Sequence, residues 1–347
     1  MIIGDIMGKT KFLINRIKSI QFKRMNEVLN REAKNNNKSK ISVKFDFFKC
    51  ALKYKMGYID YMKCNAINLS NKDKDNLLTG ENYRKLLAYL NPIKYRVVMD
   101  DKIVCNKIFR DYINRDYIDL RVTSIEDFKK FLKNKANVFA KLIDGFGGDG
   151  VTKIKVKEID DYEKLYKSLI KKRQYLIEDE IIQHETLNKI NKFAVNNIRV
   201  VTILKDNEVH VLERILRIND GLTNTISSHD IQGRLDEKGN LISKMVDDDL
   251  NIFPVHPVTG FKFEGIKIPF MREVLELCKK AAKEIPNIRF IGFDIAITPT
   301  GPEIIEVNPY PCYTNYQYYL MHDKNEKLDY LKQIKDILGN EVKNVKW

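Results

Sequence analysis

The sequence predicts an α+β protein, with a mainly helical region over residues 1–96 and a body of short strands and separate helices after it. Three features carry this expectation. Before residue 96, apolar residues recur at helical spacing with cations between them. From about residue 97 the texture changes to short β-rich runs. The last of these, Phe290 to Thr298 and Glu303 to Asn308, is joined through Pro299-Thr300-Gly301 and reads as a hairpin. A length of 347 residues suits two or three sub-domains.

The elements follow in order. Residues 11–33 read as a basic amphipathic helix with Leu13, Ile17, Ile20 and Val28 on one stripe. The same helix is a packed arm or a membrane-surface anchor. Lys34 to Lys40 is a polar linker. Residues 44–63 carry Phe45, Phe47, Phe48, Leu52, Tyr54, Tyr58 and Tyr61 and are expected to pack as helix, as is much of 70–95. Val138 to Ile143 and Val151 to Val156 are strands around Asp144-Gly145-Phe146-Gly147-Gly148-Asp149-Gly150. Asp160 with Glu163 is a capping-box pattern that opens a helix to about Lys172. Strands follow at Gln174 to Glu178, Asn197 to Lys205 and Val209 to Arg217, and a helix at Phe270 to Ile285.

Lys+Arg is 61 and Asp+Glu is 47, a net charge of +14. The lysines are spread along the whole chain, with a cluster at Lys9, Lys11, Arg16, Lys18, Lys23 and Arg24. No helix-turn-helix, RNA-recognition or zinc-finger signature accompanies them, so no nucleic-acid partner is expected. No apolar stretch approaches the roughly 18–20 residues that cross a bilayer. No secretory signal is expected. The five cysteines, Cys50, Cys64, Cys105, Cys278 and Cys312, lack metal-ligand spacing and suit a reducing cytoplasm.

Four constellations carry chemistry. Strand side chains alternate faces, so Glu306 and Asn308 point the same way, and the hairpin turn sets Asp294 opposite Glu306. Two carboxylates and an amide among apolar neighbours suit Mg²⁺ or Mn²⁺. A bare pair of carboxylates there would repel, and removing one is expected to relieve that repulsion. Lys141, expected mid-strand before the glycine loop (Gly147, Gly148, Gly150), is placed to meet phosphates. The loop is neither a Walker A sequence nor the dinucleotide fingerprint. Glu178 and Glu180 close a strand where an adenosine edge would lie. Arg199 and Arg217 stand in apolar strands and need an anionic partner.

The ordered set Lys102, Lys141 with the glycine loop, Glu178/Glu180, Arg199, then Asp294 and Glu306-Val307-Asn308 resembles the ATP-grasp superfamily. It is most similar to the ATP-grasp proteins associated with sugar transfer and surface-polysaccharide synthesis. Asp101-Lys102, Arg115-Asp116-Tyr117, Asn197 to Thr202, His256 to Gly260 and Ile291 to Ala296 carry the likeness over about residues 97–320. The resemblance implies two α+β subdomains gripping ATP, over 97–177 and 178–347, behind the helical region. It implies that Lys102, Lys141, Gly147, Gly148 and Gly150 contact the ATP phosphates and that Glu178 and Glu180 bracket the adenosine. Asp294, Glu306 and Asn308 would hold magnesium, and Arg199 and Arg217 would serve the chemical step. Thr223 to His229 lacks the Asp-Asn and Gly-Gly pattern of relatives.

The implied activity is that of a carboxylate–amine ligase. A carboxylate takes the γ-phosphate of ATP, and an amine or sugar acceptor then displaces phosphate, in capsule, lipopolysaccharide or other surface-polysaccharide synthesis. A kinase on the same fold and a non-catalytic polyanion-binding protein remain alternatives. His229 and His256 are candidate bases in substrate loops. The expected location is the cytoplasm, with peripheral attachment to the membrane if the sugar is lipid-linked.

Overall fold

The computed structural model describes residues 22–145, 150–221, 230–322 and 328–347. Helices come first: α1 (Phe22–Asn35), α2 (Lys40–Tyr54), α3 (Tyr58–Lys63), α4 (Asn71–Lys74), α5 (Gly80–Leu90), α6 (Ile93–Arg96) and α7 (Lys102–Ile108). Ser39 and Ser70 start α2 and α4 by accepting from backbone N–H groups three residues on. Met25, Leu29, Ala33, Val43, Phe47, Cys50 and Tyr61 join in one apolar cluster. The described part of the predicted first helix therefore packs as an arm, and it runs on into the expected linker as far as Asn35. Lys9 to Lys18, Leu13, Ile17 and Ile20 lie outside the described residues. The 44–63 segment is mostly helical as expected, but of its aromatic side chains only Phe47 and Tyr61 are buried. Phe45, Phe48 and Leu52 are exposed.

A four-stranded antiparallel sheet follows. Its elements are β1 (Tyr117–Asp119), α8 (Ile125–Leu132), β2 (Asn137–Lys141), β3 (Val151–Lys155), α9 (Tyr162–Lys171) and β4 (Leu176–Asp179), with strand order β1-β4-β2-β3. Val138, Ala140 and Ile177 alternate onto one face and pack on Phe128, Leu132 and Leu169 of the two helices. Lys141 is the last residue of β2, not a mid-strand residue. The cap of α9 is Asp161, whose side chain takes the N–H of Lys164, so the expected Asp160–Glu163 box is displaced by one residue.

The second sheet has seven antiparallel strands in the order β11-β10-β5-β6-β7-β8-β9. In chain order the elements are α10 (Glu185–Ile190), β5 (Asn197–Lys205), β6 (Glu208–Ile218), β7 (Ile231–Arg234), β8 (Met245–Val246), β9 (Ile252–Phe253), α11 (Met271–Ala281), β10 (Phe290–Thr298), β11 (Gly301–Asn308) and α12 (Tyr330–Leu338). Ile198, Val200, Leu216, Ile291 and Phe293 turn one face onto Val274 and Cys278 of α11. The opposite face is divided. Val201, Ile203 and Phe290 lie under Leu86 and Leu90 of α5 and Ile334 of α12. Beyond them the same face is polar, and this is the surface that carries the candidate site. Among the described residues no helix is long and apolar enough to cross a membrane.

Candidate functional site

The polar half of that face is built by register. In the β10–β11 hairpin Asp294 pairs with Glu306 and Gly292 with Asn308. On its other side Asp294 pairs with Arg199 of β5. Arg217 of β6 lies opposite Asn197, two residues from Arg199, and Gln232 of β7 lies opposite Arg217. A row therefore runs Glu306, Asp294, Arg199, Arg217, Gln232 across five strands. Two carboxylates lie side by side at one end and two guanidiniums beside them, so the Asp294–Glu306 pairing, unfavourable by itself, is offset by the neighbouring cations.

The contacts follow. Nε and Nη2, one edge of the Arg199 guanidinium, donate to the two oxygens of Asp294, with Nη2 at 2.7 Å from Oδ2. Arg217 donates to Asp230 and stands 3.7 Å from Asp294. Burial alone would raise the Asp294 carboxyl, but Arg199 and Arg217 outweigh it and hold it below the ordinary range. Asp230 goes the other way. Burial pushes it up to about 6 against the pull of Arg217, and its Oδ1 has no hydrogen-bond partner. Gly292 leaves room for this row, because a Cβ there would stand 3.4 Å from Cδ of Arg199 and 3.3 Å from Pro311.

Two cations join the sheets. Lys102, at the start of α7, donates to Glu306 at 2.7 Å and to the carbonyl of Gly145 at the base of the glycine loop. Arg115 is almost wholly buried. Its Nε is 3.1 Å from Glu178 of β4 and its Nη1 is 3.6 Å from Glu303 of β11. It also donates to the carbonyls of Ile304 and Ile305 at 2.7 and 3.1 Å. Those carbonyls flank the bulge, where Asp294 pairs with Glu306 but Ile295 pairs with Ile304. Lys141 donates to Glu178 from the far side. Burial would raise Glu178, yet Arg115 and Lys141 bring it down to about 2. Glu180 accepts from Asn137 at 2.7 Å and from Lys153 at 2.6 Å.

The structure thus gathers Lys102, Glu306, Asp294, Arg199 and Arg217 on one surface, with Asn308 one register step along. Lys141, Glu178 and Glu180 gather on the facing sheet. Gly150 closes the loop at positive φ and packs on Leu142, while Gly147 and Gly148 lie outside the described residues. The sequence reading missed Arg115 as a site residue and missed Asp230. Arg115 sits in a short polar stretch without periodicity, and its partners lie 63 and 188 positions away. His256 is fully buried. Its Nδ1 accepts from Val258 and Thr259 N–H groups, so Nε2 carries the proton donated to Asn219 O at 2.8 Å. With both ring nitrogens used by backbone, it shapes a turn and is no base. His229 lies outside the described residues.

Asp294, Glu306 and Asn308 offer only oxygen donors, and Asp294 is ionised, so the set fits a hard divalent cation. Among the described residues no three of His, Cys, Asp and Glu form a metal-ligand group.

A model of the family described as sugar-transfer associated ATP-grasp matches residues 81–323, well over half of the chain. The protein belongs to that family. No curated protein matches it. Solved structures similar to it include N5-carboxyaminoimidazole synthetase from Staphylococcus aureus complexed with ADP, at 13% identity and TM-score 0.45, covering 70% of this chain and 52% of that one. The ATP-grasp ligase PsnB complexed with a minimal precursor is similar at 14% identity and TM-score 0.43, covering 71% and 63%. The D-alanine-D-alanine ligase from Coxiella burnetii is similar at 9% identity and TM-score 0.40, covering 71% and 59%. The chain therefore spans about half to two-thirds of the length of these structures. Helices α1 to α4 precede the matched family region.

Proposed function

We propose that the protein is an ATP-dependent ligase that activates a carboxylate as an acyl phosphate and joins it to an amine, in the building of a surface polysaccharide. The observation that carries this reading is the charged row of two carboxylates and two guanidiniums, Glu306, Asp294, Arg199, Arg217, facing Lys141 and joined to the glycine loop by Lys102. Phosphoryl transfer asks a protein for positioning and for positive charge at the phosphoryl oxygens, and this row supplies both without a nucleophilic side chain.

Lys102 and Lys141 take the ATP phosphates, with Gly147, Gly148 and Gly150 over them, and Glu180 takes the adenosine side with Glu178 beneath. Asp294, Glu306 and Asn308 hold Mg²⁺ or Mn²⁺, which supplies charge neutralisation on the phosphates when bound. Arg217 orients the substrate carboxylate and Arg199 balances charge on the transferred group. An oxygen of the carboxylate bonds to the γ-phosphorus as the bond to ADP breaks. The amine then adds to the acyl carbon, phosphate leaves with the C–O electron pair, and the amine loses a proton. Five unpaired cysteines suit a reducing cytoplasm, where ATP is plentiful.

Hydroxylamine tests the reading, because it traps acyl phosphates as hydroxamates. Incubation with ATP, Mg²⁺ and a panel of uronic and amino-sugar carboxylates should yield ADP, free phosphate and hydroxamate in equal amounts. Phosphate that stays on an acceptor hydroxyl would replace the ligase by a kinase. No ADP with any member of the panel would leave a polyanion-binding protein.

A further inference from the structure

Helix α2 carries two apolar stripes on opposite sides. Val43, Phe47, Cys50 and Tyr54 face the helical cluster. Ile41, Phe45, Phe48 and Leu52 are 82%, 75%, 52% and 76% exposed. At about 100° per residue the centres of the two stripes lie roughly 160° apart around the helix. A helix that buries one face should present polar residues on the other, and a contiguous apolar stripe there marks an interaction surface.

The flanks show what it meets. Lys44 and Lys49 lie about 70° to either side of the exposed stripe, and Lys40 and Lys53 about 110°. The single acid of the helix, Asp46, turns inward to accept from the Tyr61 hydroxyl at 2.8 Å and pair with buried Lys74 at 3.6 Å. Two copies docked stripe to stripe would set lysine rows against lysine rows, an unfavourable isologous contact. A layer of acyl chains topped by anionic headgroups matches both the apolar centre and the basic borders. The stripe, from Ile41 to Leu52, is about 16 Å long, enough to lie in an interface and too short to span one.

We propose that the exposed face of α2 docks the protein on an anionic lipid surface. The docking element is α2, and the proposal stands independently of the ligase reading. Phe45 and Phe48 insert at the headgroup boundary, and the lysines lie along the headgroups on both sides.

Co-sedimentation of the full chain with phosphatidylcholine vesicles, with and without a quarter of phosphatidylglycerol, tests it. The wild type should pellet with the anionic vesicles, stay soluble with the neutral ones, and be released by salt near 1 M, where the Debye length is about 3 Å. Phe45→Ser with Leu52→Ser, and separately Lys44→Glu with Lys49→Glu, should each lower partitioning at least about tenfold. All four positions leave the core untouched, and circular dichroism melts should match the wild type. Absence of wild-type binding, or binding unchanged in both variants, overturns the proposal. So does a concentration-dependent dimer of the wild type that the serine variant abolishes while vesicles bind neither protein.

Discussion

Two arginines, Arg199 and the buried Arg115, divide the molecule's electrostatics. Arg199 meets Asp294 inside one sheet, on the neighbouring strand and in register. Arg115 meets Glu178 and Glu303 across the gap between two sheets. The first pair is a consequence of strand pairing, so its geometry is set by the backbone ladder. The second is set by how two separately folded layers rest on each other, and it helps to hold them there. Arg199 and Arg217 lie within the row that the proposed function sets against substrate. Arg115 touches nothing but protein and acts through Glu178 and the bulge at Ile305.

The largest effect should come from removing the cross-sheet pair. Arg115→Met leaves Glu303 without its cation, Glu178 with Lys141 alone, and two carbonyls at the bulge without a donor. Breaking a buried ion pair in this way costs about 3–5 kcal/mol. Urea unfolding at pH 7 should show that loss. Glu178 also gives the wild type a sign in pH. Its folded value, about 2, lies below the ordinary 4.5, so its contribution is full above pH 4.5 and is lost as pH falls from 4.5 towards 2. Arg115→Met should flatten that acid limb. Equal acid limbs in the two proteins would deny Arg115 its role at Glu178.

Asp294→Asn comes next, and here the structure reverses an expectation. A bare carboxylate pair at Asp294 and Glu306 would gain stability on losing one charge. In the fold Asp294 is neutralised by Arg199 and Arg217, and Glu306 by Lys102. The substitution leaves Arg199 without a carboxylate and Arg217 with Asp230 alone, so it should destabilise by about 2 kcal/mol and abolish turnover. Calorimetric melting in the absence of divalent cations checks the sign. A rise in Tm would restore the repulsion picture.

What could be read from the sequence follows the same division. Period-two alternation and a short turn suffice to place Asp294 opposite Glu306, and apolar neighbours suffice to mark Arg199 and Arg217 as cations that need an anionic partner. The bulge that shifts β11 by one residue leaves no such trace, because Ile304 and Ile305 are equally apolar. Arg115 is silent for the reason that makes it important: its partners are brought together only by packing between layers. Helix α2 failed differently. Its two apolar stripes cancel each other's periodicity, so an aromatic-rich segment read as core although Phe45 and Phe48 face outward.

Glu213 sharpens the comparison, being an in-sheet carboxylate without a register partner cation. It lies on β6 opposite Val201, wholly buried, near Tyr330. Burial pushes it up to about 8. A raised value contributes stability that is present below pH 4.5 and lost as pH rises through 8, with a slope approaching 1.4 kcal/mol per pH unit. Glu213→Gln should remove that slope from stability measured between pH 5 and 8, leaving the acid limb from Glu178 in place. A variant that tracks the wild type across this range would mean that Glu213 is ionised in the fold.

The smallest effect tests how tightly the row is fitted. Gly292 sits on β10 beside Asp294 and beneath the stem of Arg199, at ordinary strand φ, so alanine brings no backbone strain. Its Cβ would meet Pro311 at 3.3 Å and Cδ of Arg199 at 3.4 Å. The Pro311 contact is a few tenths of an ångström too close and the Arg199 contact is at the near edge of ordinary van der Waals distance. Pro311 cannot yield as a flexible side chain would, so the Cβ shifts the other way, towards the Arg199 stem, and tilts its guanidinium against Asp294. Overpacking by one methyl should cost about 1 kcal/mol. The arginine, however, is held by two hydrogen bonds to Asp294, and the proposed reaction depends on their geometry. The Gly292→Ala protein should keep its nucleotide affinity within about twofold and lose turnover by about tenfold, since misplacement acts on the transition state more than on binding. Equal losses in both quantities would place the strain at Pro311 and the segment after β11, leaving Arg199 where it stands.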